Sequence, residues 1–283
     1  MGAITLRRLE TRDLGGTLRL SQAERWSHRR EDWEFHYRLG RGWAACDANG
    51  DVLGTASWWA CGEQFGTVGL VLVDQAHQGQ GIGRQLMNVV MSDAGDRVLQ
   101  LVATKAGLTL YQRCGFREQY GIGQHQGALT QIPPFASCTD TVLRAVSHAD
   151  LDAICDLDAV AFGANRRPVV RAVFDAGGGV GVLAHRNGRI AGFALARPSG
   201  RGTLIGPIVA QDEALAIALI AYQLKATNGF IRVDIPKNAV HLGEWLEAAG
   251  LTCVDTVTAM VRGDIREERV ESRVFGLVSQ ALG

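Results

Sequence analysis

The sequence predicts an α/β fold that occurs twice in tandem along the chain. Apolar runs typical of strands alternate with segments of helical periodicity. Weak similarities between the two halves recur in the same order and at nearly constant spacing. The 283 residues suffice for about two domains, and a composition of 47% hydrophobic and 20% charged residues is ordinary for chains with buried cores.

The first elements of the first copy follow from periodicity and turn residues. A strand near residues 4–9 precedes helical periodicity from residue 14 to about residue 39. Asn49 and Gly50 form a dipeptide typical of a tight hairpin turn. The strand expected after this turn covers residues 53–59.

The remaining elements of this copy surround a glycine-rich loop. An apolar strand over residues 68–73 leads to the loop Gln-Gly-Gln-Gly-Ile-Gly at residues 78–83. An amphipathic helix over residues 84–94 and a second apolar strand over residues 98–102 come next. The segment Leu-Tyr-Gln-Arg-Cys-Gly-Phe at residues 110–116 completes the copy.

The glycine-rich loop predicts an anion-binding cradle that fits a diphosphate. Gly79, Gly81 and Gly83 let the backbone turn its N–H groups inward, and the following helix directs the positive end of its dipole to the same place. A P-loop is excluded because Arg84 follows Gly83, where Lys and then Ser or Thr are required. A dinucleotide fingerprint is excluded because it needs a glycine in place of Arg84 and an acidic residue where residues 98–109 have none.

The loop and the later segment together resemble two motifs of the GNAT superfamily of N-acetyltransferases, which bind acetyl-coenzyme A. The motifs, Gln-x-x-Gly-x-Gly and Leu-Tyr-x-x-x-Gly-Phe, lie about 30 residues apart on the expected elements. The resemblance implies that each copy is a mixed, mostly antiparallel twisted sheet flanked by helices. The matching residues are Gln78, Gly81, Gly83, Tyr111, Gly115 and Phe116.

The resemblance also implies where acetyl-coenzyme A, as a cosubstrate, is held. The strand at residues 70–73 diverges from its neighbour so that the pantetheine arm pairs with free backbone groups, and an N–H near Leu72 or Val73 stabilises the developing oxyanion. Thr104 stands where the family often has an Asn that binds pantetheine, although a plain helix cap explains a threonine here equally well. The residues expected to contact the coenzyme are Leu72, Val73, Gln78, Gly79, Gln80, Gly81, Ile82, Gly83, Arg84 and Thr104.

The same resemblance gives Tyr111 a catalytic role. An amine attacks the thioester directly, and Tyr111 protonates the departing thiolate. The alternative interpretation is a core aromatic whose hydroxyl bonds to the backbone. Position in the sequence suggests four candidates for the general base, which are Glu63, Asp74, His77 and His125. None of them is favoured over the others. A water molecule that relays the proton to a backbone carbonyl would also serve.

The acceptor pocket is indicated only by an aromatic stripe. Trp26, Arg30, Trp33 and Tyr37 fall at i, i+4, i+7 and i+11 of the expected early helix, in the region that lines acceptor sites in this superfamily. Packing in the core is the alternative explanation of such a stripe. Trp26, Arg30 and Trp33 are the pocket candidates.

The repeat divides the chain into a catalytic domain over residues 1–135 and a degenerate domain over residues 136–283. Pro133 and Pro134 mark the expected linker. The similar segments are separated by 135 to 138 residues. They are residues 6–14 with 143–151, 49–54 with 187–192, 67–73 with 203–209, and 114–116 with 249–251.

The second copy lacks the residues of the diphosphate loop. Residues 214–219 contain no glycine, and Asp212 and Glu213 are expected to satisfy the helix dipole themselves. Leu246 stands at the position equivalent to Tyr111. Residues 275–278 are expected to supply a closing strand. This copy either covers an apolar edge of the first or forms a wall of the acceptor cleft.

Charge and targeting features narrow the partners. Lysine and arginine balance aspartate and glutamate at 29 each, which predicts a small-molecule partner and no nucleic acid or membrane partner. The absence of His-Glu-x-x-His and Cys-x-x-Cys spacings predicts no metal site, and the lack of a signal core predicts a cytoplasmic protein. The predicted function is acetyl transfer to a primary amine of a small molecule or peptide. A non-catalytic acyl-coenzyme A sensor is the alternative, and the oligomeric state is open.

Overall fold

The computed structural model describes residues 4–135, 140–264 and 271–283. The elements of the first copy are β1 (Thr5–Arg8), α1 (Leu14–Ala23), α2 (Arg30–Leu39), β2 (Arg41–Cys46), β3 (Val52–Cys61), β4 (Phe65–Val73), α3 (Ile82–Ala94), β5 (Val98–Ala103), α4 (Leu108–Arg113) and β6 (Arg117–Ala128). Those of the second copy are β7 (Thr141–Ala145), α5 (Leu151–Phe162), α6 (Arg167–Ala176), β8 (Gly181–Arg186), β9 (Arg189–Ser199), β10 (Gly202–Ala210), α7 (Glu213–Leu224), β11 (Phe230–Pro236), α8 (Val240–Ala248) and β12 (Thr252–Arg262). A last strand, β13 (Arg273–Gly276), follows.

The order of strands and helices is the same in both copies, which confirms the tandem repeat. The predicted hairpin at Asn49 and Gly50 joins β2 to β3, and Gly50 adopts a φ of 89° that suits glycine. The predicted boundary between residues 135 and 136 lies beside residues 136–139, which are outside the described residues, and it stays a prediction.

The described strands form one continuous sheet across both copies. Its order is β1-β2-β3-β4-β5-β12-β6-β11-β10-β9-β8-β7, and β13 pairs with β10 outside this path. The β4–β5 and β10–β11 pairs are parallel, and the other pairs are antiparallel. This arrangement is the mixed, mostly antiparallel sheet that the resemblance implies.

The two copies exchange their last strands, which the sequence does not predict. β12 of the second copy pairs with β5 of the first, and β6 of the first copy pairs with β11 of the second. β6 and β12 also pair with each other. Neither sheet is therefore complete without a strand from the other copy, and the two copies form one hydrogen-bonded body.

The single early helix expected over residues 14–39 is two helices, so this prediction was wrong. α1 ends at Ala23, and Arg25 takes a left-handed φ of 58°. A new helix then begins because the Asp32 carboxylate accepts a hydrogen bond from the backbone N–H of Arg29 at 2.8 Å, in the manner of a capping box. The break turns the chain and changes which side chains share a face.

The helices cover the sheet with three large clusters of buried side chains. The first cluster joins α1 and α2 to α5 and α6, for example through Trp33 and Phe174, so the two copies share a core. α3 and α4 cover the first copy, and α7 and α8 cover the second. No helix within the described ranges is long and apolar enough to cross a membrane.

Candidate active site

β4 and β5 diverge at the centre of the first copy. They pair in parallel from Phe65 opposite Val98 to Val68 opposite Leu101, although both strands continue further. Just beyond this point β4 contains a bulge, and Leu70 has a left-handed φ of 52°. A strained conformation of a non-glycine residue is typical of functional sites. The divergence leaves an open gap between the two strands.

The backbone of Val73 faces this gap. Asp74 donates its N–H to the Leu53 carbonyl across the β3 side at 2.7 Å. Because hydrogen bonds alternate along an antiparallel strand, the preceding residue presents its N–H on the opposite side. Consistently, the Val73 carbonyl accepts a hydrogen bond from Gln78 Nε2 at 3.1 Å. Of the two residues predicted to stabilise the oxyanion, Val73 therefore has a backbone N–H that faces the gap, whereas the backbone N–H of Leu72 points toward β3.

The glycine loop follows directly and adopts conformations that favour glycine. Gly79 and Gly81 have φ values of 77° and 80°, and a Cβ atom at either would meet nothing within 4 Å. Conformation rather than crowding therefore selects glycine at these two positions. α3 begins at Ile82, two residues earlier than predicted, so Gly83 and Arg84 belong to its first turn.

The loop presents a row of unpaired backbone amides. Among the described residues, the N–H groups of residues 79–84 have no hydrogen-bond acceptor, and the first paired amide is that of Gln85, which bonds to the Gly81 carbonyl at 3.0 Å. No side chain caps the helix at Gly81. Free amides at the positive end of a helix dipole form a site that attracts phosphate oxygens.

In the second copy, the protein itself occupies both the helix N-terminus and the gap between strands that correspond to these features. Asp212 accepts a hydrogen bond from the Leu215 N–H at 2.8 Å and caps α7. β10 pairs with β11 only up to Leu204, and β13 pairs with β10 beyond that point. A closing strand near the C-terminus is thus present, but it covers Arg273–Gly276 and not the predicted residues 275–278. Leu246, which stands in place of Tyr111, is fully buried.

Tyr111 lies on α4 and faces a cavity. Its ring packs closely against Gly107, where a Cβ atom would come within 2.7 Å, and makes an edge contact with Phe116. The hydroxyl forms no hydrogen bond with any described residue, unlike the hydroxyl of an ordinary core tyrosine. Burial raises the pKa of Tyr111 above its usual value, so the phenol stays protonated at neutral pH.

The cavity beside Tyr111 has a volume of about 390 Å³ and is lined by both copies. The first copy contributes residues 69–71 of β4, and Thr104 after β5. Thr104 does not cap α4, because Gly107 is the N-cap residue, so that alternative was wrong. The second copy contributes residues of β9, β10 and β11 and the C-terminal segment 279–281. The second copy therefore forms a wall of this cavity.

The predicted pocket residues separate in the structure because the early helix is broken. Trp26, between α1 and α2, lines the cavity. Arg30 is exposed and pairs with Glu34 at 3.1 Å. Trp33 is 1% exposed in the core and donates its indole N–H to Ser21 Oγ at 3.1 Å. Of the three candidates, only Trp26 borders the cavity.

The four predicted general bases, Glu63, Asp74, His77 and His125, lie away from the cavity. Glu63 is exposed in the turn between β3 and β4. His77 lies 3.3 Å from Asp74, close to the glycine loop. His125 is buried and bonds to the Leu251 carbonyl at 3.1 Å. None of them is among the residues that line the cavity, and their roles stay predictions.

The cavity wall includes polar residues that the sequence analysis did not identify. His28 and His36 come from the first copy, and Arg197 comes from β9 of the second. Arg197 gave a usable signal, because it is a charged residue that ends the apolar run at residues 193–196. The histidines gave none, since the helix break that places them was not predicted.

Acid is expected to destabilise the protein through His36. This side chain is buried, and its Nδ1–H donates to the Asp32 carbonyl at 2.6 Å. Burial, followed by the nearby charge of Arg197, lowers the pKa of His36 from 6.5 to about 3. Between these values the unfolded chain binds a proton here and the folded chain does not, so stability is lost as pH falls below 6.5.

We expect the free energy of unfolding to decrease by about 3 kcal/mol between pH 6.5 and pH 4 through this group. Denaturant unfolding at a series of pH values measures the decrease. The His36→Gln variant should show a flatter profile over that range. An identical slope in the variant would contradict the assignment.

Comparison with known proteins agrees with this geometry. Two family models, both described as Acetyltransferase (GNAT) domain, match residues 38–118 and residues 154–276. The chain is also similar to the Bacillus subtilis protein named "Uncharacterized N-acetyltransferase YitH", with 24% identity over 278 residues that cover 98% of this chain and 97% of that protein.

Two solved structures share the fold over nearly the whole chain. A putative acetyltransferase from Pyrococcus horikoshii has a TM-score of 0.78 at 19% identity, covering 99% of this chain and 96% of its own. A tandem GNAT protein from the clavulanic acid biosynthesis pathway has a TM-score of 0.67 at 14% identity, covering 93% of this chain and 100% of its own. The chain thus belongs to the GNAT superfamily of acetyltransferases, carries two GNAT domains in tandem, and is an acyltransferase.

Proposed function

We propose that the protein transfers an acetyl group from acetyl-coenzyme A to a primary amine of a small molecule, and that the first copy alone binds the coenzyme. The observation that carries this proposal is the row of unpaired amides at residues 79–84, beside the gap that opens onto the Tyr111 cavity. Main-chain donors at a helix N-terminus suit a diphosphate, and the gap suits an extended chain that pairs with β4.

Two features support a single coenzyme site. The helix end in the second copy is capped by Asp212, whose carboxylate would repel a phosphate by about a kcal/mol per charge pair even at a water-like dielectric constant. In addition, β13 lies against β10 where a pantetheine arm would have to pair. A second coenzyme would therefore have to displace part of the fold.

The residues of the first copy suit direct transfer. Acetyl-coenzyme A, when bound, supplies a thioester whose C–S bond breaks as the amine nitrogen forms a C–N bond. The Val73 N–H stabilises negative charge on the carbonyl oxygen, and Tyr111 donates its proton to the leaving sulfur. Thr104 and the β4 backbone orient the coenzyme arm, and Arg84 supports the diphosphate at the start of α3. The amine loses its proton to a base that we leave unassigned.

Calorimetry with acetyl-coenzyme A, together with thiol release in the presence of an amine panel, tests this proposal. We expect one coenzyme per chain and turnover with at least one amine. Direct attack also predicts intersecting initial-velocity lines, because a covalent acetyl-enzyme would give a ping-pong pattern instead. Tight binding without turnover of any amine would favour the sensor, and no binding at all would contradict both. The small-molecule acceptor, the lack of a nucleic-acid or membrane partner and the cytoplasmic location remain predictions.

A further inference from the structure

The cavity wall formed by the second copy contains a buried arginine with unused hydrogen-bonding capacity. Arg197 is 2% exposed, and its Nε and Nη2 atoms have no partner among the described residues. Its Nη1 donates to the Pro198 carbonyl at 3.2 Å, and its guanidinium stacks 4.3 Å from the ring centre of Phe35. The planar fork is thus held in place with donors left for a planar oxyanion.

A neighbouring carboxylate does not fully balance the charge of Arg197. Asp32 lies 3.6 Å from Arg197 Nη1. However, both oxygens of Asp32 accept hydrogen bonds from the Arg29 guanidinium, and Oδ2 also accepts from the Gly200 N–H at 2.9 Å. One carboxylate is therefore shared between the buried Arg197 and the half-exposed Arg29, and the cluster keeps excess positive charge. Burial of a charge without a full counter-ion is unfavourable, so an anion that enters from the cavity is stabilised here.

The other charged residues that line the cavity are more exposed than Arg197 or are already paired. Arg232 also lines the cavity, and its charge is balanced by a bidentate pair with Asp234 at 2.6 and 2.9 Å. His28 faces the cavity with an Nδ1 atom that has no partner among the described residues. Two carboxylates, Glu24 and Asp255, also line the cavity, but neither of them is buried. Burial lowers the pKa of Arg197 only to about 10, so it stays charged at neutral pH.

We infer that Arg197 binds a carboxylate of the acceptor, and hence that the acceptor is an amino acid or another small amine that carries a carboxylate. This inference rests on the proposed function, because the cavity that Arg197 lines is the one that Tyr111 lines. A volume of about 390 Å³ suits a small molecule. The first copy then holds the acetyl donor, and the second copy selects the acceptor.

Matched acceptors that differ only in the carboxylate test this inference. Thiol release is measured with the twenty standard amino acids, β-alanine and 4-aminobutyrate, and each acid is compared with its own carboxamide. Rates are divided by the concentration of unprotonated amine, because an acid and its amide differ in amine pKa. We expect the preferred acid to exceed its amide at least tenfold in kcat/KM, mainly through KM. Equal or faster turnover of the amides would overturn the carboxylate site while leaving acetyl transfer intact, as would be the case if ordered water alone paired with Arg197.

Substitutions at Arg197 locate the preference. The Arg197→Met variant should lose at least tenfold of the acid-over-amide ratio, and Arg197→Lys should keep part of it, because a lysine retains charge without the fork. Arg186→Met is the matched control, since Arg186 on β8 pairs with Gln211 and is not among the cavity residues. An unchanged ratio in Arg197→Met would overturn the assignment.

Direct binding separates this inference from the proposed function. Calorimetric titration of the same acids and amides needs no turnover, and the acids should bind at least tenfold more tightly to the wild type than their amides. If no acid binds better than its amide, the carboxylate site is wrong, whether or not the coenzyme binds. If the acids bind through Arg197 but no acetyl-coenzyme A binds, only the proposed transfer reaction is wrong.

Discussion

Replacement of Tyr111 by Phe is expected to slow thiol release roughly a hundred- to ten-thousandfold, the range for loss of a general acid. The phenol faces the cavity, bonds to no described residue, and has a raised pKa that keeps it protonated. The substitution removes only one oxygen, so the packing against Gly107 and Phe116 should persist. Steady-state kinetics with the best amine measures the decrease in kcat.

Two controls separate this effect from a change in fold or affinity. We expect acetyl-coenzyme A to bind to the Tyr111→Phe variant as it does to the wild type, because the glycine loop proposed to hold the diphosphate is untouched. The melting temperature should also stay nearly the same. Since deprotonation of Tyr111 requires pH values above its usual range, its loss should not shift any kinetic pKa between pH 6 and pH 9. Wild-type activity in the variant would exclude Tyr111 as the acid.

Replacement of Gly81 by Asp is expected to weaken acetyl-coenzyme A binding about a hundredfold. The change places a carboxylate at the start of α3, which imitates Asp212 at the start of α7. Repulsion from two phosphate charges costs about 2 kcal/mol at a water-like dielectric constant, and competition for an amide donor adds about 1 kcal/mol. Together these correspond to about two powers of ten in Kd. Calorimetry with acetyl-coenzyme A measures the loss.

Gly81→Asn is the matched control for this substitution. Asparagine has nearly the shape of aspartate and tolerates the left-handed φ of 80° about as well, but it carries no charge. No atom lies within 4 Å of the added Cβ, so both variants should fold. Coenzyme affinity should fall much less in Gly81→Asn than in Gly81→Asp. Equal affinities in the two variants would show that no diphosphate lies near this residue.

Local pattern was sufficient for much of the fold. The glycine loop, the amphipathic helix behind it and the hairpin at Asn49 and Gly50 depend on neighbours within a few residues, and these elements occur where they were predicted. The repeat was also visible, because equivalent strands and turns keep similar residues at a constant offset. Even here boundaries moved, as at Ile82, where the helix begins before the last glycine of the loop.

The early helix shows where local pattern fails. Helical periodicity continues across residues 24–29, yet the Asp32 side chain starts a second helix and Arg25 turns the chain. Periodicity alone cannot detect such a break, because the competing interaction is one side-chain cap. The break also changed which residues line the cavity. Trp33 lies in the core, whereas His28, which no sequence pattern indicated, lines the cavity.

Local sequence was enough to predict the family motifs, the glycine loop at residues 78–84 and the lack of such a loop in the second copy, because each depends on backbone conformation within one short segment. By contrast, three features are visible only in the folded chain: β6 and β12 change places, β13 fills the gap beside β10, and Arg197 lies in the cavity of Tyr111. These features join segments that are far apart in the chain. Their positions follow from how strands pair and how buried charges are compensated, which no local pattern specifies.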